Sequence, residues 1–215
     1  MKLYYNPLST YSQKTLIALY EKGVAFEPEV VSLMSPEGKA AYAKIYPIGK
    51  LPLLKPSDDH MIPESTIIIE YLEGHHASGT QLIPNDVDAA RQVRFIDRMS
   101  DLYLGNPAGT LLFERFGFQK YSEEELAKAS NYLRITYEHF DKRLANQDWL
   151  CGEFSMADCA AIPPLFYCQV VAPFAAYPNI VRYYERARLR PSYARVMEEF
   201  VPIWEGMLLA QNKSA

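Results

Sequence analysis

Glu64 and Ser65 set an acid beside a hydroxyl just after Pro63 and just before an apolar helical run, Thr66 to Leu72. The first N–H groups of a helix lack partners within it and attract a carboxylate, while the Glu64 carboxylate can pair with an ammonium group. Upstream, Pro52 opens an apolar strand through Leu53 and Leu54. Having no N–H to donate, it marks a strand start and not a strand interior. A cis bond at Leu51-Pro52 would turn the Leu51 N–H and C=O away from the sheet, where another extended chain can pair with them. A ligand with a backbone amide, a free carboxylate and a free amine fits all three places. The plainer alternative is that Pro52 only starts a strand and that Glu64 and Ser65 only cap a helix.

The elements that must position these residues follow from periodicity and breakers. Lys2 to Tyr5 reads as a strand, and Thr10 to Glu21 as a helix with Leu16, Ala18 and Leu19 on its apolar side, stopped by Gly23. Phe26 to Val31 is the next strand, and a helix over Pro36 to Ile45 ends before Pro47. The strand after Pro52 leads to a turn at Lys55-Pro56-Ser57-Asp58-Asp59, a short strand to Ile62, and the helix opened by Pro63-Glu64-Ser65. The order βαβαββα predicts an α/β thioredoxin-like domain over residues 1–75. Residues 76–86 are polar and turn-rich and read as a linker; residues 87–215 read as an all-α domain. Its helices are expected over Asp88 to Phe116, Ser122 to Leu144, Ser155 to Val171 and Asn179 to Phe200. Ser155 and Asp158 have the spacing of a capping box.

Composition narrows the classes. The chain has 215 residues, 49% hydrophobic and 22% charged, with a net charge of −4, values that fit a folded globular protein. No basic stripe marks a nucleic-acid surface; Arg182, Arg186, Arg188 and Arg190 read as a solvated helix face. No apolar segment has signal-peptide or membrane-spanning length, so a cytoplasmic protein with no membrane partner is expected. Cys151, Cys159 and Cys168 lack metal or disulfide spacing, and His60, His75, His76 and His139 share no ligand pattern, so no metal site is expected.

The segment Gly49-Lys50-Leu51-Pro52, followed by Pro63-Glu64-Ser65 and Ile67-Ile68-Ile69-Glu70-Tyr71-Leu72, resembles the glutathione site of soluble glutathione transferases. The resemblance implies glutathione as co-substrate, with the cysteinyl backbone on Leu51 beside a cis Pro52 and the γ-glutamyl amine and carboxylate on Glu64 and Ser65. Lys50 would add charge near the glycyl end. It also implies the two-domain plan, a bacterial, cytosolic homodimer, and detoxification by conjugation to a small apolar or aromatic electrophile. Asp97 corresponds to a carboxylate that some classes send across the dimer, though here it reads as an exposed helical residue.

The glutathione thiol has a pKa of about 8.5, and only the thiolate is nucleophilic. A hydroxyl that donates to it, at a helix N-terminus, favours the charged form. The loop Asn6-Pro7-Leu8-Ser9-Thr10-Tyr11-Ser12 supplies such hydroxyls. By likeness to the serine-type classes, theta-like and phi-like, the catalytic serine falls on Ser9, with Ser12 and Tyr5 as alternatives. Thr10 stands where cysteine-type members carry a cysteine. Ser9 or Thr10 could instead cap the first helix, and capping and donation are taken to need different groups. The acceptor site is expected between the domains, with Tyr11, Tyr103, Phe113 and Tyr167 as candidate walls. Glutathione-dependent dehalogenation, isomerisation or ether cleavage would use the same thiolate, and a non-catalytic binding module is the alternative from another class.

Overall fold

The computed structural model describes residues 1–212. The chain forms two compact units, one of Met1–Gly79 with the segment that begins at Pro191, the other of Thr80–Arg190.

In the first unit β1 (Lys2–Tyr5), β2 (Glu27–Val30), β3 (Leu53–Ser57) and β4 (His60–Pro63) form one sheet in the order β2-β1-β3-β4. β1 and β2 are parallel, so a crossover is required, and α1 (Thr10–Lys22) provides it. The other two pairings are antiparallel. Leu3, Leu53 and Leu54 are fully buried, as are Leu16, Ile17 and Leu19 of α1 and Ile68, Ile69 and Leu72 of α3 (Ser65–His75); Leu53 shares its sheet face with Tyr4, whose ring meets Tyr42. Gly23 takes φ 64° at the end of α1, the left-handed conformation that lets its N–H and that of Val24 return to the last turn. The predicted order of elements is present, with the thioredoxin-like sheet and the helical second unit as expected.

Several boundaries differ from the sequence reading. Lys55, Pro56 and Ser57 belong to β3, and the hairpin tip is Asp58-Asp59. Pro56 is tolerated because the β3–β4 register is interrupted between Leu54 and Ser57, where no ladder bond is asked of it. Pro63 ends β4, and Glu64 is the cap residue of α3. α2 (Pro36–Ala43) buries only Tyr42. The helix expected over Asn179 to Phe200 is two: α8 (Pro178–Arg188) and α9 (Pro191–Asn212). Pro191 disfavours a helical conformation at Arg190, and the chain breaks there. α9 packs on α1: Ser192 Oγ donates to Glu21, and the Arg195 guanidinium lies 4.2 Å from the Tyr20 ring centre.

In the second unit the helix expected from Asp88 to Phe116 is α4 (Val87–Ser100), a π-helical stretch (Asp101–Gly105) and α5 (Asn106–Arg115). Pro107 has no N–H for the carbonyl of Tyr103, one turn back, and the helix widens just before it. The Tyr103 carbonyl accepts the Thr136 hydroxyl at 3.0 Å, from α6 (Glu123–Arg143). α7 (Met156–Val171) carries the fully buried Asp158 near its start. That carboxylate accepts the N–H groups of Leu150 and Ser155 at 3.0 and 2.9 Å and the hydroxyls of Ser155 and Tyr183 at 3.3 and 3.0 Å. Asp97 is not exposed as read from the sequence but fully buried, on the α4 face shared with Val93, Ile96 and Ser100. Nor are the arginines all solvated: Arg186 pairs with Asp148 at 2.7 Å, and Arg190 stacks 3.7 Å from the Phe154 ring centre. No helix among the described residues is long and apolar enough to cross a membrane.

Candidate functional site

Tyr4, Leu53 and Pro63 form one row across β1, β3 and β4. The row sits at the end of β1, the start of β3 and the end of β4. The Ser9 loop, the Leu51-Pro52 bond and the Glu64-Ser65 pair therefore leave the sheet at the same edge, and α1 and α3 both begin there.

The loop from Asn6 to Ser9 is tied to its own helix. Asn6 donates its N–H to Ser12 Oγ at 3.2 Å and its side-chain amide to the Val31 carbonyl at 2.8 Å. Its Oδ1 accepts the Leu8 N–H at 2.9 Å, its carbonyl accepts the Ser9 N–H at 3.0 Å, and Gln13 Nε2 reaches the Pro7 carbonyl at 2.6 Å. Ser9 emerges as the cap residue of α1, with φ −83° and ψ 120°, and its Oγ accepts the Ser12 N–H at 3.3 Å. Ser9 is half-buried. Of the two alternatives, Ser12 is fully buried, and Tyr5 is buried with its hydroxyl donated to Glu199 at 2.7 Å. Burial first, and the Glu199 bond next, hold the Tyr5 phenol well above its ordinary pKa.

Leu51-Pro52 is a cis peptide bond. The β3 ladder begins at Leu53, so the Leu51 N–H and C=O lie outside it. Pro52 is buried and Leu51 half-buried. Lys50 has an exposed side chain, and its carbonyl accepts the Tyr42 hydroxyl at 2.9 Å, which anchors the loop ahead of the cis bond.

Glu64 has φ 69° and ψ 120°, the one described non-glycine residue at positive φ. That conformation is costly for a residue with a Cβ. Its side chain is exposed and makes no cap hydrogen bond, so the helix-capping alternative for Glu64 does not hold. Ser65, the first residue of α3, is 5% exposed. Neither α1 nor α3 has an acidic residue in its first turn, which leaves the positive ends of both helix dipoles to an anion. Fully buried Lys14 lies close by, its Nζ donating to Thr66 Oγ1 at 2.8 Å from the second turn of α1 to the first turn of α3.

The family models for the glutathione S-transferase N-terminal and C-terminal domains match residues 3–80 and 123–186. Glutathione S-transferase F10 of Arabidopsis thaliana is 31% identical over 167 residues, 74% of this chain and 77% of that one. The chain belongs to the glutathione transferase family. Glutathione S-transferase hmp2 of Hypomyces subiculosus is 29% identical across 93% of this chain and 98% of its own. A glutathione S-transferase from Methylobacillus flagellatus KT, solved with GSH bound, has a TM-score of 0.81 at 26% identity, over 91% of this chain and 98% of that one.

Within this transferase fold, the sequence reading passed over Tyr42, Lys14 and Glu199. Tyr42 and Lys14 carry local signals, a lone aromatic in a short polar helix and a lysine in step with Ala18 on the apolar side of α1. Glu199 has none, since 194 positions separate it from Tyr5. Of the aromatics expected to wall an acceptor site, Tyr167 is 4% exposed and belongs to the core of the helical unit; Tyr103 and Phe113 are exposed, and Tyr11 is half-buried. No group of three or more His, Cys, Asp or Glu residues among those described is placed to hold a metal.

Proposed function

We propose that this glutathione transferase is of the serine type, with Ser9 as the donor that holds the glutathione sulfur as thiolate. The row Tyr4–Leu53–Pro63 carries the reading, because it brings the Ser9 loop, the free Leu51 backbone and the Glu64-Ser65 pair to one sheet edge. Glutathione lies along that edge. Leu51 beside Pro52 pairs with its cysteinyl main chain, Glu64 takes the γ-glutamyl ammonium, and Ser65 with the α3 N-terminus takes the γ-glutamyl carboxylate. Lys50 offers a solvated charge to the glycyl carboxylate.

A hydrogen bond to a charged acceptor is worth about 1.5–3 kcal/mol, which lowers a thiol pKa by roughly one to two units. The thiol proton leaves to water. The thiolate then attacks a small apolar or aromatic electrophile; the new S–C bond forms as the bond to the leaving group breaks, or as the π electrons of an activated double bond shift onto its activating group, which then takes a proton from water. Ser9 stays protonated and serves only as donor.

The working form is a cytoplasmic homodimer on this reading. Phe95 packs edge-on to His139 at 6.2 Å and Tyr103 tilts over Tyr132 at 5.1 Å, and with exposed Leu102 and Ile135 they leave an apolar α4–α6 face that suits a second copy. Light scattering on the purified protein tests this, a monomer at micromolar concentration counting against it.

Retention on immobilised glutathione, followed by ultraviolet difference absorbance of the bound thiolate, tests the site. Wild type should be retained and show thiolate at neutral pH; Ser9→Ala should be retained without it. Full thiolate absorbance and conjugation in Ser9→Ala would refute the assignment of Ser9.

A further inference from the structure

Tyr5 closes β1, and the next residue, Asn6, makes four of the bonds that present Ser9. The Val31 N–H bonds the Tyr5 carbonyl at 2.8 Å, and Asn6 follows with its bonds to Val31, Ser12, Leu8 and Ser9. The far end of the Tyr5 side chain is fixed at one point, where its hydroxyl donates to Glu199 Oε1 at 2.7 Å. Glu199 lies on α9, at the other end of the chain, and is half-buried. Arg195, one turn earlier, stacks on Tyr20.

We propose that Glu199 is a positioning residue for the reaction: through Tyr5 it fixes the exit of β1 and hence where the Ser9 hydroxyl points. The inference rests on the assignment of Ser9 as thiol donor. The relay is short, because each link after Tyr5 is a backbone or part-buried side-chain hydrogen bond. A hydroxyl displaced by a few tenths of an ångström still binds glutathione through Leu51, Glu64 and Ser65, yet donates poorly to the sulfur. Loss of Glu199 therefore acts on thiolate formation and kcat, not on the KM for glutathione.

Three variants test the relay on the full-length protein: Glu199→Ala, Glu199→Gln and Tyr5→Phe. Glu199→Ala and Tyr5→Phe should each lower kcat about tenfold with little change in KM, and raise the apparent pKa of bound glutathione by about one unit, the equivalent of a tenfold loss. Glu199→Gln keeps a carbonyl acceptor for Tyr5 and should retain most of the wild-type thiolate. The double variant Tyr5→Phe/Glu199→Ala should be no worse than the poorer single, since both remove one bond. A folded Glu199→Ala or Tyr5→Phe protein with wild-type thiolate pKa and kcat overturns the inference. So does Glu199→Ala with more thiolate than wild type, which would mean that the released Tyr5 hydroxyl is itself a donor. If Glu199→Ala fails to fold, Tyr5→Phe and Glu199→Gln decide the matter. Ser9→Ala separates the two readings: thiolate lost in Ser9→Ala but intact in Tyr5→Phe ends the relay alone, and thiolate intact in Ser9→Ala ends the Ser9 assignment on which it rests.

Discussion

Ser9 Oγ accepts the Ser12 N–H at 3.3 Å, and its own proton remains available. Capping α1 and donating to a sulfur looked like rival duties in the sequence, but a hydroxyl has two lone pairs and one proton, so one group can perform both. The two duties can be separated by substitution. Ser9→Ala loses both, and should cost about 1 kcal/mol of stability along with a roughly 10- to 100-fold drop in kcat/KM for conjugation. Ser9→Asp keeps an acceptor for the Ser12 N–H but has no proton to give at neutral pH. Its urea midpoint should stay near that of wild type while its activity falls at least as far as that of Ser9→Ala. An active Ser9→Asp enzyme would rule out hydroxyl donation.

Glu64 holds an unfavourable backbone conformation, φ 69°, without any cap bond to compensate. Strain of this kind is of the order of 1–3 kcal/mol, and replacement by glycine recovers it less about 0.5–1 kcal/mol of added unfolded-state entropy. Glu64→Gly should therefore be as stable as wild type or up to about 2.5 kcal/mol more stable, with a raised KM for glutathione because the ammonium partner is gone. Glu64→Ala keeps the strain and loses the same carboxylate, so it should raise KM equally without any gain in stability. Paired thermal melts and glutathione saturation curves of the two variants make the comparison. If Glu64→Gly is the less stable of the two, the strain account fails.

The first unit was legible in the sequence because its signals are local: the alternation in β1, Gly23 after a helix, and prolines at loop edges. The Leu51-Pro52 and Glu64-Ser65 segments were legible for the same reason. What the sequence hid depends on packing. Asp97 looked solvated because its charge outweighed its position on the apolar stripe of Val93 and Ile96, and the interior of the helical unit decided otherwise. Pro107 and Pro191 were both in view, yet a long apolar period on either side favoured one helix each time; the structure breaks both near the proline that cannot donate. The bond between Tyr5 and Glu199 joins the two ends of the chain, and no periodicity reports a contact of that range.

The π-helical stretch before Pro107 depends on a bond from another helix. Thr136 is fully buried and gives its hydroxyl proton to the Tyr103 carbonyl at 3.0 Å. Thr136→Val preserves the volume and removes the donor, and losing this part-buried hydrogen bond should cost about 1 kcal/mol. Thr136→Ser restores the donor and should recover most of that loss apart from the missing methyl group. Urea denaturation of the three proteins measures it, with an unchanged midpoint in Thr136→Val as the contrary result.

The chain's own thiols should stay out of glutathione chemistry at neutral pH. Cys159 and Cys168 are fully buried, and burial pushes the Cys168 thiol up to about 12. Cys151 is half-buried; burial first, and the nearby Asp158 charge next, push it up to about 11, outweighing Arg143. A raised thiol pKa means less thiolate at any pH below it. At pH 8 Cys151 is about 0.1% thiolate, against roughly a quarter for a free cysteine of pKa about 8.5, so its alkylation should be a few hundred times slower than that of a model thiol. The rate should climb about tenfold per pH unit and level off only near pH 11, provided the protein stays folded. Iodoacetamide labelling from pH 7 to 10, read by mass spectrometry at Cys151, gives the slope. In denaturant all three cysteines should label at the rate of a free thiol. Rapid labelling of Cys151 in the native protein at pH 7 would contradict the half-buried, acid-flanked setting of its sulfur.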